Sequence, residues 1–268
     1  MMKKRLLPGI AALLISLPSF AQSFVTEDPS FSLSARTSAA FDWKIAKGLH
    51  LNVSEELRFV DSSSKSLVRS YSTLGASYKV CPYLKVGAGY SFIACSKTKD
   101  DVTSPLLRHR VYGEITGMYG IGNIKLSLRE KIQGTVRTDD FNAYQEPGTA
   151  WMLRSRLKVS YDKKKMAWKP YAAFEVSNTL NAVNFVDSWN GVQLVGDDVI
   201  YNDIYVNRLR TRLGVDWRLS KRSSVDLYLL YDFKRGKDID ATKKGKLVSV
   251  TGEMANVISL GIAYTFSK

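Results

Sequence analysis

Ile258-Ser259-Leu260-Gly261-Ile262-Ala263-Tyr264-Thr265-Phe266 stands two residues from the C-terminus. One side of this stretch carries Ile258, Leu260, Ile262, Tyr264 and Phe266, and the other Ser259, Gly261, Ala263 and Thr265. In an extended chain successive side chains point to opposite faces. A strand that is large and apolar on one face, small or polar on the other, and ends on aromatics fits a wall between lipid and a wet or packed lumen. Its small, uncharged inner side assigns any charged lining to the strands before it.

The same two-residue period runs back along the chain. Residues 33–46 end at Lys47-Gly48. In 49–61, Leu49, Leu51, Val53, Leu57 and Phe59 oppose His50, Asn52, Ser54, Glu56 and Arg58, while Glu55 interrupts the apolar side and predicts a bulge or a position above the lipid belt. Strands 67–80, 84–95 and 106–119 follow. In 124–137, Ile124, Leu126 and Leu128 oppose Lys125, Ser127, Arg129, Lys131 and Gln133. Strand 150–161 sets Trp151, Leu153, Leu157 and Val159 against Arg154, Arg156 and Lys158. After 168–180, strand 201–218 sets Leu209, Leu213, Val215 and Trp217 against Arg208, Arg210, Arg212 and Asp216. Strand 223–235 sets Leu227, Leu229 and Tyr231 against Asp226, Tyr228 and Asp232, and 254–266 closes the series.

Short turns at 47–48, 81–83, 120–123, 162–165 and 219–222 alternate with longer loops at 61–66, 96–105, 138–149, 181–200 and 236–253. Short periplasmic turns with long outer loops are the pattern of bacterial outer-membrane barrels. The fold expected is therefore all-β, an antiparallel transmembrane β-barrel of about 12 strands (range 10–12). Eleven segments are read directly, and an even count calls for a further strand within 22–32 or a merged pair. A soluble two-sheet sandwich also alternates, but its strands are typically ~5–6 residues long. Glycine, β-branched and aromatic content disfavours helix.

The N-terminus reads as a secretory signal: Lys3, Lys4 and Arg5, an apolar run from Leu6 to Leu17 too short to span a bilayer, and Ser19-Phe20-Ala21 before Gln22. The expected domains are a signal peptide, 1–21, and one barrel, 22–268. Cleavage lowers the net charge from +14 to +11, since 1–21 carries those three basic residues and no acidic one. Export excludes nucleic acid as a partner. A basic exported chain instead meets outer-membrane lipids and lipopolysaccharide phosphates, and small anionic solutes; the barrel-assembly machinery is the further partner expected. Localisation in the bacterial outer membrane follows. Cys81 and Cys95 lie at opposite ends of one strand, about 45 Å apart at ~3.3 Å per residue, too far to bridge.

Outward charge at the membrane midplane costs ~2–4 kcal/mol for Arg or Lys. That places Arg108, Arg110, Arg129, Arg154, Arg156, Arg208, Arg210 and Arg212 in the lumen. Glu56, Glu114, Glu175, Asp216, Asp226 and Asp232 fall on the same face; Glu130 falls on the apolar face by strict count and predicts a bulge. Cross-strand pairing of these groups fills a narrow barrel, which makes a structural or surface-facing role without enzymatic activity the leading expectation. A narrow anion-preferring pore is the first alternative. A lipid hydrolase or acyltransferase is the second, with His109 as base if an adjacent strand supplies a serine. No cofactor or metal is expected.

Asn207-Arg208-Leu209-Arg210-Thr211-Arg212-Leu213-Gly214-Val215-Asp216-Trp217, with Lys221-Arg222 and Asp226-Leu227-Tyr228-Leu229-Leu230-Tyr231, resembles the uncharacterised outer-membrane barrel family catalogued as domain of unknown function 2490. Glu55-Glu56-Leu57-Arg58-Phe59, Arg154-Ser155-Arg156 and Lys169-Pro170-Tyr171 with Glu175 carry the resemblance upstream. It implies a barrel in the outer membrane and carries over no activity and no catalytic residue.

Overall fold

A computed structural model describes residues 29–62, 65–99, 102–138, 140–164, 166–184, 201–245 and 247–268. The expected leader, 1–21, and most of the 181–200 loop lie outside them. The described residues form eleven strands: β1 (Ser30–Ala46), β2 (Leu49–Ser62), β3 (Lys65–Cys81), β4 (Leu84–Lys99), β5 (Val102–Ile121), β6 (Ile124–Arg137), β7 (Thr149–Tyr161), β8 (Trp168–Ala182), β9 (Asp203–Arg218), β10 (Ser223–Ala241) and β11 (Leu247–Ser267). Each is hydrogen-bonded to its sequence neighbours, and β1 pairs with β11 to close the barrel.

The expected twelfth strand is absent from this sheet. β1 takes up residues 30–32 and bonds β11 directly, from Ser30↔Ala255 to Asp42↔Ser267, leaving no place for a strand between them. Hairpins reverse direction at every step, so eleven strands leave the first and last running the same way; the closing seam is parallel and all other pairs are antiparallel. Odd-stranded barrels of this kind are rare but known.

The long loops expected at 96–105 and 236–253 are mostly strand. β4 and β5 stay paired to Lys99↔Val102, and β10 and β11 to Ala241↔Leu247. In the expected 61–66 loop, β2 and β3 likewise stay paired to Ser62↔Lys65. Sequences such as Ser96-Lys97-Thr98-Lys99 are polar on both faces, so ladder hydrogen bonds persist where hydrophobic alternation, the signal used to find strands, has vanished. At the other end the turns are tight, and Gly48 and Gly122 take φ of 82° and 57°, values that favour glycine.

The wall is apolar outside and polar inside. Leu227, Leu229, Leu260 and Ile262 stand exposed on the outer face, Leu260 at 68%, whereas Asp232, Ser177 and Ser259 are wholly buried. At the short-turn end Trp43, Tyr78, Tyr83, Tyr119, Tyr161, Trp168, Trp217 and Tyr264 are exposed at positions spread around the barrel. No bulge accompanies Glu55 or Glu130. Register is continuous through both, and each outward carboxylate accepts a hydrogen bond from a serine on the next strand, Ser70 for Glu55 and Ser155, at 2.6 Å, for Glu130.

The inner wall is built on glycine and tyrosine. Gly261 of β11 faces Tyr228 of β10, Gly214 of β9 faces Tyr171 of β8, and Gly89 of β4 faces Tyr112 of β5. A Cβ added at Gly261 falls 2.0 Å from Tyr228 Cζ, and one at Gly214 falls 2.7 Å from Tyr171 Cζ. Each ring therefore lies over its cross-strand glycine, which keeps large side chains flat in a narrow interior.

Candidate functional site

Alternation sends one charge after another into the lumen, and cross-strand register decides which meet. Glu175 of β8 is 3% exposed. It accepts from Arg154 Nη2 at 2.5 Å and Nε at 3.1 Å, from Arg129 Nη2 at 3.2 Å and from Arg210 Nη1 at 3.3 Å. Asp232 of β10 accepts from Arg210 Nη2 at 2.9 Å and lies 3.3 Å from Arg208 Nε and 3.6 Å from Arg36 Nη2. Arg210 thus bridges two carboxylates, and each carboxylate holds three guanidinium groups. Arg212 donates to Asp226 at 2.6 Å, and Asp226 also accepts from the Tyr171 hydroxyl at 2.8 Å. Arg58 grips Glu56 through Nε at 2.7 Å and Nη2 at 3.1 Å, the two-pronged geometry that suits a planar guanidinium.

The tyrosines hold cations as well as covering glycines. Arg212 lies 3.5 Å from the Tyr228 ring centre, Arg58 3.9 Å from Tyr71, Lys131 3.3 Å from Tyr112 and Lys158 3.9 Å from Tyr171. A ring face attracts a cation most where water is scarce. Outside the strands, at the short-turn end, Asp162 accepts from Lys125 and lies 2.9 Å from Lys169 Nζ; these ammonium groups hold its carboxyl below the ordinary range.

The structure joins Arg129, Arg154, Arg208, Arg210, Glu175 and Asp232 in one network, with Arg212 and Asp226 beside it. Arg110 sits apart, donating to Thr135 at 2.9 Å, with Arg108 two residues along the same strand. Glu114 approaches Arg129 and Lys131 only at 3.7 and 3.8 Å. Asp216 stands opposite Lys169 on one side and Asp226 on the other. Arg156 lies between Arg129 and Glu175 in register, but its side chain makes no ion pair or hydrogen bond among the described residues.

One member was missed. Arg36 of β1 lies across the seam from Gly261, so the uncharged inner face of β11 does not keep charge away from the closure. Its neighbours Ser34 and Ser38 carried no charge pattern, and only its parity with the other inward residues marks it.

His109 lies on the outer face. Its Nδ1 is hydrogen-bonded to the Tyr90 hydroxyl, and its ring packs on Phe92 with centroids 5.6 Å apart. The partner the neighbouring strand supplies is thus a phenol, not the serine that nucleophilic catalysis needs. We expect His109→Ala to leave lipid hydrolysis at the wild-type, background level in a phospholipase assay; a rate in the wild type that the substitution abolishes would contradict this. Cys81 and Cys95 are both free thiols. Among the described residues no three His, Cys, Asp or Glu side chains gather as a metal site.

A closed barrel with an apolar exterior and a lumen of guanidinium and carboxylate groups defines a β-barrel class, not an activity. Comparison narrows it: the family model for proteins of unknown function termed DUF2490 matches residues 35–243. The chain belongs to that family. No curated protein matches it.

Proposed function

We propose that the chain is an exported outer-membrane barrel whose role is structural or surface-facing, with a lumen closed to ion flow by its own ion pairs and with no catalytic activity. The observation that carries the membrane reading is the inverted arrangement of the wall. Large apolar side chains are exposed outside while Asp232 and Glu175 are buried inside, the reverse of a soluble domain. The exposed Trp and Tyr side chains at the short-turn end suit the interfacial girdle such barrels carry, and short turns are the periplasmic connections in that reading. Lipids and lipopolysaccharide are then the surroundings of the outer face, and the barrel-assembly machinery inserts it.

The network around Glu175 and Asp232 carries the closed reading. Its members reach inward from β1, β6, β7, β8, β9 and β10 and meet within hydrogen-bonding or ion-pair distance. Small barrels are filled by such side chains. Purified protein in planar bilayers is expected to give no current steps at any voltage. Discrete openings with anion preference would replace this reading with a narrow pore.

A further inference from the structure

We infer that the lumen contains a binding site for a multivalent oxyanion of the phosphate class. Between the strands lies a cavity of about 260 Å³, lined by seven arginines and one lysine against only two carboxylates, Glu56 and Glu175. Tyr228 and the smaller or apolar residues Ser38, Ala173, Leu230 and Ala263 line the rest. That volume is several times the ~30 Å³ share of one water molecule, enough for a phosphate with its hydration or for a small phosphomonoester.

From beyond the wall Asp226 pairs with Arg212, Asp232 with Arg36 and Arg210, and Glu114 with Arg129 and Lys131, yet the cations of the wall still outnumber all these carboxylates. Glu175 is already shared by Arg129, Arg154 and Arg210. Arg156 has no acceptor among the described residues, though it lines the cavity and stands directly opposite Arg129. The buried Nε atoms of Arg36, Arg129, Arg210 and Arg212, all on this cavity, also lack hydrogen-bond partners. Arg36 itself is only 7% exposed. Buried donors without acceptors are costly, and like charges confined in a low-dielectric space repel. An anion that accepts several hydrogen bonds at once relieves both. Planar guanidinium forks match tetrahedral oxyanions in a way a monatomic anion does not. Site and closed lumen are compatible, since a cavity bounded by the ion-pair network carries no continuous current. The inference rests on the barrel interior and stands or falls apart from the membrane reading.

The test is calorimetric titration of the full chain, refolded in zwitterionic detergent, with inorganic phosphate at constant ionic strength in chloride. One saturable site is expected. Arg156→Gln is expected to weaken it by about tenfold, the value of one hydrogen bond to a charged group. Ala263→Leu, which fills the cavity without changing charge, is expected to weaken it as well and serves if Arg156→Gln fails to fold. Lys164→Gln, on the exposed β7–β8 turn, is expected to leave affinity unchanged. Vesicles containing phosphatidate provide the second arm. Binding of the lipid phosphate without binding of inorganic phosphate would place the anion on the outer surface and overturn the proposal, as would a phosphate response equal in all four proteins.

Discussion

Glu175→Ala is expected to be among the most destabilising single substitutions in the lumen, lowering unfolding free energy by about 3–5 kcal/mol, the usual cost of breaking a buried ion pair from one side. Three guanidinium groups converge on this carboxylate, and removing it leaves Arg129, Arg154 and Arg210 facing one another. Arg210 keeps Asp232, so the damage falls on β6 and β7. Glu175→Gln retains one acceptor oxygen and is expected to cost less. Glu114→Ala serves as comparison, because its contacts to Arg129 and Lys131 are long, and is expected to cost under about 1 kcal/mol. Urea unfolding of detergent-refolded protein measures all three. Equal midpoints for Glu175→Ala and Glu114→Ala would mean that the network fills space without holding the lumen together.

The second large effect concerns shape. Gly261→Ala puts a methyl group where the Tyr228 ring lies, 2.0 Å from Cζ and 2.3 Å from Cε2. Arg212 lies 3.5 Å from the ring centre, so the ring does not swing away freely. A cost of about 1–3 kcal/mol is expected for overpacking of this kind. In a Tyr228→Ala background the same glycine substitution is expected to cost little, because the space is then empty. A double-mutant cycle reads this coupling directly. Strict additivity would show that Tyr228 does not occupy the position over Gly261.

These two effects differ in how far the sequence discloses them. Alternation and the cost of outward charge alone place Arg129, Arg154, Arg156, Arg210 and Arg212 inside, and all five line the cavity. Their partners were less legible. Nothing in a strand's own period says that Arg210 reaches Glu175 on one side and Asp232 on the other, since register comes from hairpin geometry and closure. The glycines of β4, β9 and β11 read as small inner residues, yet their pairing with Tyr112, Tyr171 and Tyr228 appears only once strands are set side by side. Outer carboxylates misled in the opposite sense. Glu130 suggests a bulge, and Glu55 a bulge or a position above the lipid belt, because a charge on an apolar face looks like a register break; a neighbouring serine accommodates each without a bulge. Parity supplied the final error. An even count is the habit of bacterial barrels, and here a parallel seam closes eleven strands.

The central claim is that this wall faces lipid. Trp43, Trp151, Trp168 and Trp217 are all exposed on the outer face, each by more than two fifths. Reconstitution into vesicles of brominated phospholipid tests it directly, because bromine quenches tryptophan only on contact. The account predicts strong loss of tryptophan fluorescence relative to unbrominated vesicles. Unchanged fluorescence, from a folded chain that stays in solution without detergent, would contradict it.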